Sequence, residues 1–323
     1  MRVLVTGGGG YIGSHLVDAL IKRGDEVLVV DNLSTGKIEN VRHLLGHPAF
    51  QFINDSILNE PLLEQFVPGV DRIYHLAAAV GVRHILQDPL AAINTNVRGT
   101  EVVLGLAFKY WKRIVIASTS EIYGKATHIP SREDDDRILG STAVPRWSYS
   151  TSKAIDEHFA FAYASKGLPV SIVRYFNSYG PRLDESGYGS VVANITRQAL
   201  RGEALTVHGD GQQTRCFTYI TDTVAGTLLA GEVQAAVGEA FNICNPVETT
   251  ILDLARTIKR LTRSKSPVEF LPYEAYYGEG FEDTRRRLPS VDKAKRLLGF
   301  TPRVGLETGL KHTIAWCRRH YTL

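Results

Sequence analysis

Tyr149 and Lys153 stand four residues apart in "RWSYSTSKAIDEHF", so on a helix they share one face. A phenol with a pKa near ~10 is a poor base at neutral pH. A neighbouring ammonium stabilises the phenolate and lowers that value, so the pair could take the proton of a hydroxyl while a hydride leaves the same carbon. Y-x-x-x-K is a common spacing, and its weight comes from what surrounds it. In "IASTSEIYGK", residues 116–125, an apolar run stops in Ser118, Thr119, Ser120 and Glu121. A surface turn would account for these side chains. So would a reaction site at the end of a buried strand.

A departing hydride needs an acceptor. "VTGGGGYIGSHL" joins the first strand to the first helix, and Gly7, Gly10 and Gly13 fit G-x-x-G-x-x-G. Missing side chains there permit a tight turn and bring the helix N-terminus, with Tyr11 and Ile12, close to a pyrophosphate. Asp31, followed by Asn32, ends the second strand at about ~20 residues' distance, where a carboxylate binds the ribose hydroxyls of a dinucleotide. Its charge would repel a 2′-phosphate, which favours NAD over NADP. Asp55 and Ser56 end the third strand, and Leu76, Ala77 and Ala78 the fourth, both at the carboxyl edge where open α/β sheets bind ligands. His75 reads as a packed strand histidine.

The elements that must position these groups alternate along the chain. "RVLV", "EVLVVD", "FQFIND", "RIYHLAA", "RIVIAST" and "VSIVRYFN" are short and rich in Val and Ile, while Ser14 to Arg23 and Pro89 to Tyr110 carry helical spacing. This βαβα order predicts an α/β fold: a doubly wound parallel sheet of the Rossmann type, covered by helices on both faces. After Asn177 the chain turns polar in "SYGPRLDESGYGS". A helix around Val191 to Arg201, strands in "LTVHGDG" and "VEFLPY", and a helix in "SVDKAKRLLGF" then suggest a smaller C-terminal α/β domain that binds substrate. The expected division is 1–177 for the NAD-binding domain and 178–323 for the second, with a strand near 239–245 rejoining the first sheet.

Composition removes other classes. Lys and Arg total 37 against 34 Asp and Glu, a net charge of +3 with no long basic block, so a nucleic-acid partner is not expected. Cys216, Cys244 and Cys317 are far apart and lack C-x-x-C spacing, which argues against a disulfide framework or a metal site. No apolar run nears the roughly 18 residues of a membrane span, and the chain opens directly on a strand; a soluble cytoplasmic protein acting on small molecules is the expectation. The acidic stretch "REDDDR", residues 132–137, reads as a solvated loop.

Together, "TGGGGYIG", "STSEIYG", "YSTSK" and "RYFNSYGPR" resemble the extended short-chain dehydrogenases/reductases that act on nucleotide sugars, and the resemblance covers nearly the whole chain. It implies NAD in the Rossmann domain, a sugar nucleotide in the second, a homodimer, and oxidation at C4 of the sugar as the first step. By this resemblance Thr119 binds the sugar 4-hydroxyl beside Tyr149, and Lys153 also holds the nicotinamide ribose. Asn96 matches a position near the cofactor; Asn177, Arg182 and Arg215 match positions that contact nucleotide or sugar. A non-catalytic NAD-binding module would often have lost the Tyr or Lys, and this chain keeps both.

The residues beside Thr119 discriminate the branches. The 4,6-dehydratases of deoxythymidine-linked sugars carry Asp-Glu there, whereas this chain has Ser120 and Glu121. Guanosine-linked mannose dehydratases share "STSE". A Ser-Glu pair is also characteristic of UDP-glucuronate decarboxylases, in which a C4 ketone lies β to the C6 carboxylate and CO2 can leave as an enolate forms; a positioned acid or base would manage the proton at C5. "YYGEGFEDTRRRLPS" resembles the bacterial decarboxylase domain of aminoarabinose synthesis, and on that match Arg287 helps protonate the product; a diphosphate contact is the other reading. Against this, "AAAVGVRH" resembles UDP-glucuronate 4-epimerases, where Arg83 would hold the uronate carboxylate. Decarboxylation of UDP-glucuronate is the expected activity, with C4 epimerisation of UDP-glucuronate or UDP-glucose the alternative.

Overall fold

A computed structural model describes residues 1–81, 88–184, 190–273 and 284–321. Its first strands are β1 (Arg2–Thr6), β2 (Glu26–Val30), β3 (Phe50–Ile53), β4 (Arg72–His75), β5 (Arg113–Thr119) and β6 (Val170–Tyr175). After them come β7 (Ser178–Tyr179), β8 (Leu205–His208), β9 (Thr214–Cys216), β10 (Thr218–Tyr219), β11 (Ala240–Ile243), β12 (Glu248–Thr250), β13 (Val268–Leu271) and β14 (Arg286–Arg287). Seven of these form one sheet in the order β11-β6-β5-β4-β1-β2-β3, and every neighbouring pair is parallel.

Both faces of this sheet are covered, so its strands are apolar almost throughout and adjacent residues serve opposite cores. Ile114 and Ile116 of β5 join Val103, Leu104 and Ala107 of helix α3 on one side, while Val115 joins the opposite cluster. Helices α1 (Tyr11–Lys22), α2 (Glu60–Phe66), α3 (Pro89–Lys109) and α4 (Arg146–Ser165) fill the crossovers. The Asp88 side chain starts α3 by accepting from the Ala91 amide at 2.9 Å, with Pro89 in the first turn.

Beyond β6 lie α5 (Val191–Arg201), α6 (Ile220–Glu232), α7 (Ile251–Thr262), α8 (Asp292–Leu298) and α9 (Leu306–His320). Ile195, Leu254 and Ile314 from these helices belong to the same buried cluster as Val3, Val5 and Leu16 of the first βα unit. One apolar core therefore runs from the sheet into the C-terminal half. There β9 pairs antiparallel with β12 and parallel with β14, which sets Arg287 opposite Arg215.

The stretch 132–137 is irregular, but it is not simply solvated. Glu133 accepts from the Asn242 amide at 2.8 Å, and Arg137 donates to the Ile122 carbonyl at 3.1 Å, so the loop is fastened to β11 and to the turn after β5. The three cysteines are buried and unpaired in disulfides.

Candidate active site

The crossovers leave the sheet in opposite directions on either side of β1 and β4, and the carboxyl ends of the strands there open a cleft of about 440 Å³. One wall is the glycine loop. Gly7 has φ +75°, and a Cβ on it would lie 2.6 Å from the Ala77 amide nitrogen; a Cβ on Gly13 would lie 2.1 Å from the Gly7 carbonyl oxygen. Only hydrogen atoms fit at these two positions. Helix α1 then begins with no side-chain cap and no acidic residue in its first turn, so its N-terminal amides and positive dipole end are left for an anion.

Asp31 carries two bonds that hold this wall: its carboxylate accepts from the Gly9 amide and from the Leu33 amide, each at 2.8 Å. Burial raises its pKa, against those amide bonds, which lower it. Asp55 accepts from the Ser56 amide at 2.6 Å and from the Asn59 side chain at 3.1 Å. Tyr11, Ile12, Asn32, Ser56, Leu76, Ala77 and Ala78 line the same cavity as Gly7, Gly10, Gly13, Asp31 and Asp55. The backbone cradle and uncapped helix end suit the pyrophosphate of a dinucleotide, and the Asp31 carboxylate beside them suits its ribose.

The other wall is built from three distant segments. Strand β5 ends at Thr119, whose hydroxyl accepts from the Glu121 amide at 3.2 Å and starts a single turn of 3₁₀ helix over Ser120–Tyr123. On α4, Arg146, Tyr149, Lys153 and Asp156 recur at helical spacing. From β14 comes Arg287. Thr119, Ser120, Glu121, Tyr149, Lys153, Asn177 and Arg287 all line the cleft.

Two details differ from the sequence expectations. Glu121 is not poised to exchange protons near neutral pH. Its Oε1 is 2.7 Å from Arg287 Nη1 and its Oε2 is 3.2 Å from Arg146 Nη2. Burial pushes the carboxyl up, but Arg287 and Arg146 outweigh it and hold the pKa at about 2. Glu121 is thus a standing anion between two cations, and Ser120 accepts a longer bond from Arg287 at 3.4 Å.

The second detail concerns the phenol. Tyr149 is raised above its ordinary value by burial, with Glu121 and Asp156 adding to the rise and a hydrogen bond with Thr119 opposing it. Lys153 does not offset this. Its Nζ lies 2.6 Å from Asp156 Oδ2, with both side chains buried.

Among the described residues, Asn96, Arg182, Arg215 and His75 do not line the cleft. Asn96 is buried; its Oδ1 accepts from the Ala79 amide at 2.7 Å and its amide donates to Ser152 at 3.1 Å, tying the loop after β4 to α4. Arg182 pairs with Asp18 of α1 at 2.6 Å. Arg215 donates to the carbonyls of Thr214 and Thr284, both at 2.8 Å. Arg83 lies outside the described residues. Ser118 does line the cleft, and its hydroxyl serves the scaffold: it donates to Glu157 at 2.5 Å, and Glu157 is gripped in two places by Arg174. His75 is packed, its ring nitrogens 2.7 Å from Thr6 and 3.0 Å from Thr100.

Arg146 and Asp156 went unnoticed in the sequence. Their signal was available, because they flank Tyr149 and Lys153 at three-residue spacings on one helix face, but nothing local says what either would touch. Among the described residues no helix is long and apolar enough to cross a membrane.

Known proteins are similar to this one over nearly the whole chain. A UDP-N-acetyl-alpha-D-glucosaminuronate decarboxylase of Bacillus cytotoxicus is 44% identical over 98% of this chain and 98% of its own. UDP-glucuronic acid decarboxylase 1 of Danio rerio is 42% identical over 98% of this chain and 73% of its own. The crystal structure of a UDP-glucuronic acid 4-epimerase from Bacillus cereus, solved with UDP-glucuronic acid and NAD, superposes with a TM-score of 0.87 at 31% identity, covering 99% of this chain and 100% of that one. The family model described as GDP-mannose 4,6 dehydratase matches residues 4–313, so the chain belongs to that family of extended short-chain dehydrogenases/reductases acting on nucleotide sugars.

Proposed function

We propose that the protein is an NAD-dependent decarboxylase of a UDP-linked uronic acid, with UDP-glucuronate as its substrate. Residues 1–177 with β11 hold the cofactor, and residues 178–323 supply most of the surface for the sugar nucleotide. When bound, NAD supplies a hydride acceptor for C4 of the sugar. Tyr149 takes the proton of the 4-hydroxyl while Thr119 orients that hydroxyl and Lys153 steadies the nicotinamide ribose. The resulting ketone is β to the C6 carboxylate, so the C5–C6 bond can break as CO2 leaves and its electron pair becomes an enolate.

The observation that carries this reading is the Arg146–Glu121–Arg287 cluster beside Tyr149 and Thr119. Two guanidinium groups flank one carboxylate and bring cationic groups to the reacting end of the cleft. These suit a substrate bearing its own carboxylate and the negative charge that develops as CO2 departs. Glu121 serves by fixing Arg287, and Arg287 by stabilising the enolate and directing the proton that returns to C5. A neutral hexose would offer this cluster hydroxyl acceptors but no charge.

The test is incubation with NAD and UDP-glucuronate, and separately with UDP-N-acetylglucosaminuronate, following sugar products by proton NMR while trapping CO2. A UDP-pentose or 4-keto-pentose with stoichiometric CO2 supports decarboxylation. A sugar that keeps its carboxylate and inverts at C4 would establish the epimerase, which the "AAAVGVRH" stretch favours.

Homodimerisation through α3 and α4 accompanies this reading, supported by Leu90, Ile93, Ile155 and Phe161, which leave an apolar face on those helices exposed. Reduced, buried cysteines and small-molecule substrates of this kind fit a cytoplasmic setting. Sedimentation equilibrium checks the dimer.

A further inference from the structure

Lys153 is 3% exposed and Asp156 is fully buried, and their ion pair is made without any group from a ligand. A buried ammonium needs a partner, and a carboxylate three residues along the same helix face supplies one from the side away from the cleft. The pair does not end there. The Thr100 hydroxyl nearby favours the ionised form of Asp156, and the Thr100 oxygen lies 3.0 Å from His75 Nε2. His75 Nδ1 is 2.7 Å from the Thr6 hydroxyl, and Thr6 Oγ1 accepts from the Ala77 amide at 3.3 Å.

One assignment of protons satisfies the whole chain. The Thr100 oxygen accepts from His75 Nε2–H, and Nδ1 accepts from Thr6, whose oxygen takes the Ala77 N–H. The imidazole must be neutral for this, and burial, followed by the nearby Lys153 charge, lowers its pKa to about 3. Hydrogen bonds therefore tie Thr100, beside the buried ion pair, through His75 and Thr6 to the backbone of the cofactor cradle, where Ala77 lies against Gly7.

We propose that Asp156 is a positioning residue of the reaction: its carboxylate anchors the Lys153 ammonium and sets how strongly that ammonium favours the Tyr149 phenolate. This rests on the reading of Tyr149 as the base in C4 oxidation. With Asp156 ionised, Tyr149 faces a lysine–aspartate dipole instead of a bare cation, and the phenol stays protonated to higher pH. Among the described residues, the other charged or titratable groups around the pair are Glu121 after β5, His75 on β4, Glu157 on α4 and Arg174 on β6, with Arg146 and Arg287 beyond Glu121. None of them contacts Lys153 as Asp156 does.

The experiment titrates tyrosinate absorbance in NAD-loaded enzyme without sugar, subtracting the Tyr149→Phe variant to isolate Tyr149. Asp156→Asn should lower the Tyr149 midpoint by about one pH unit. Asp156→Glu, which keeps the charge, should restore the wild-type midpoint. Asp156→Ser takes the place of the Asn variant if that variant does not fold. The rising limb of NADH formation against pH, measured with UDP-glucuronate, should move in the same direction. A midpoint that stays or rises when the charge is removed, or that moves as far with Glu as with Asn, overturns the proposal. Failure of the C4-oxidation reading looks different: wild-type enzyme forms no NADH from the sugar, while the tyrosinate titration still reports on Asp156.

Discussion

The two walls of the cleft are built differently. The cofactor wall comes mainly from one continuous βαβ unit, with Gly7, Gly10, Gly13 and Asp31 within 25 residues of chain, and it works largely through backbone groups held in close contact. Distant pieces meet in the reacting wall: Thr119 and Glu121 at the end of β5, Tyr149 and Lys153 on α4, and Arg287 on β14. Its groups are side chains whose charges are set by one another. The first wall tolerates no added volume, and the second tolerates little change in charge.

Tyr149→Phe should give the largest effect, a loss of about 10³-fold in kcat for C4 oxidation with the fold intact, because it removes only the proton acceptor. Single-turnover formation of NADH measures it, and retention of more than a tenth of the wild-type rate would take Tyr149 out of the reaction. Gly13→Ala tests the opposite wall. Its new Cβ would meet the Gly7 carbonyl oxygen at 2.1 Å, so thermal unfolding should show about 1–3 kcal/mol of destabilisation. NAD affinity, measured by fluorescence titration, should fall more than about tenfold, since the cradle itself is displaced. Unchanged affinity would mean that the glycine loop does not hold the cofactor.

Glu121→Gln separates the two steps at the reacting wall. Hydride transfer should remain within about threefold, while CO2 release slows by about 10–100-fold, because Arg287 loses the anion that fixes it. Equal loss of both steps would place Glu121 in the oxidation. The same residue gives a stability prediction. Its folded pKa of about 2 is below the ordinary 4.5, so its contribution is fully present above the unfolded value and is lost as pH falls from about 4.5 toward 2. Chemical denaturation over that range should show wild-type enzyme losing about 2–3 kcal/mol more than the Gln variant. Smallest of all is the effect expected for Arg182→Ala: less than about 1 kcal/mol of stability, from a partly exposed pair with Asp18. Turnover should be unchanged, and a marked rise in KM for the sugar nucleotide would bring Arg182 into the substrate site.

What could be read in advance follows from the range of the forces involved. The parallel sheet and the glycine cradle were legible because they depend on local rules: strand periodicity, crossover length and the steric demand for hydrogen at Gly7 and Gly13. The candidate residues Thr119, Tyr149 and Lys153 were legible as types and spacings. Their electrostatic state was not. Lys153 four residues after Tyr149 suggested an acidified phenol, yet Asp156, one helical turn further, takes the ammonium and leaves the phenol high. Glu121 suggested an acid or base, yet Arg146 and Arg287, 25 and 166 residues away, hold it ionised. The bonds of Asn96 to the Ala79 amide, and of Arg215 to the Thr214 and Thr284 carbonyls, were likewise not legible. By itself, the sequence determined the fold class and which chemistry-bearing residues reach one edge of the sheet. Only the tertiary structure decided which charges meet there, because a pKa depends on groups a few ångströms away in space, wherever they lie in the chain.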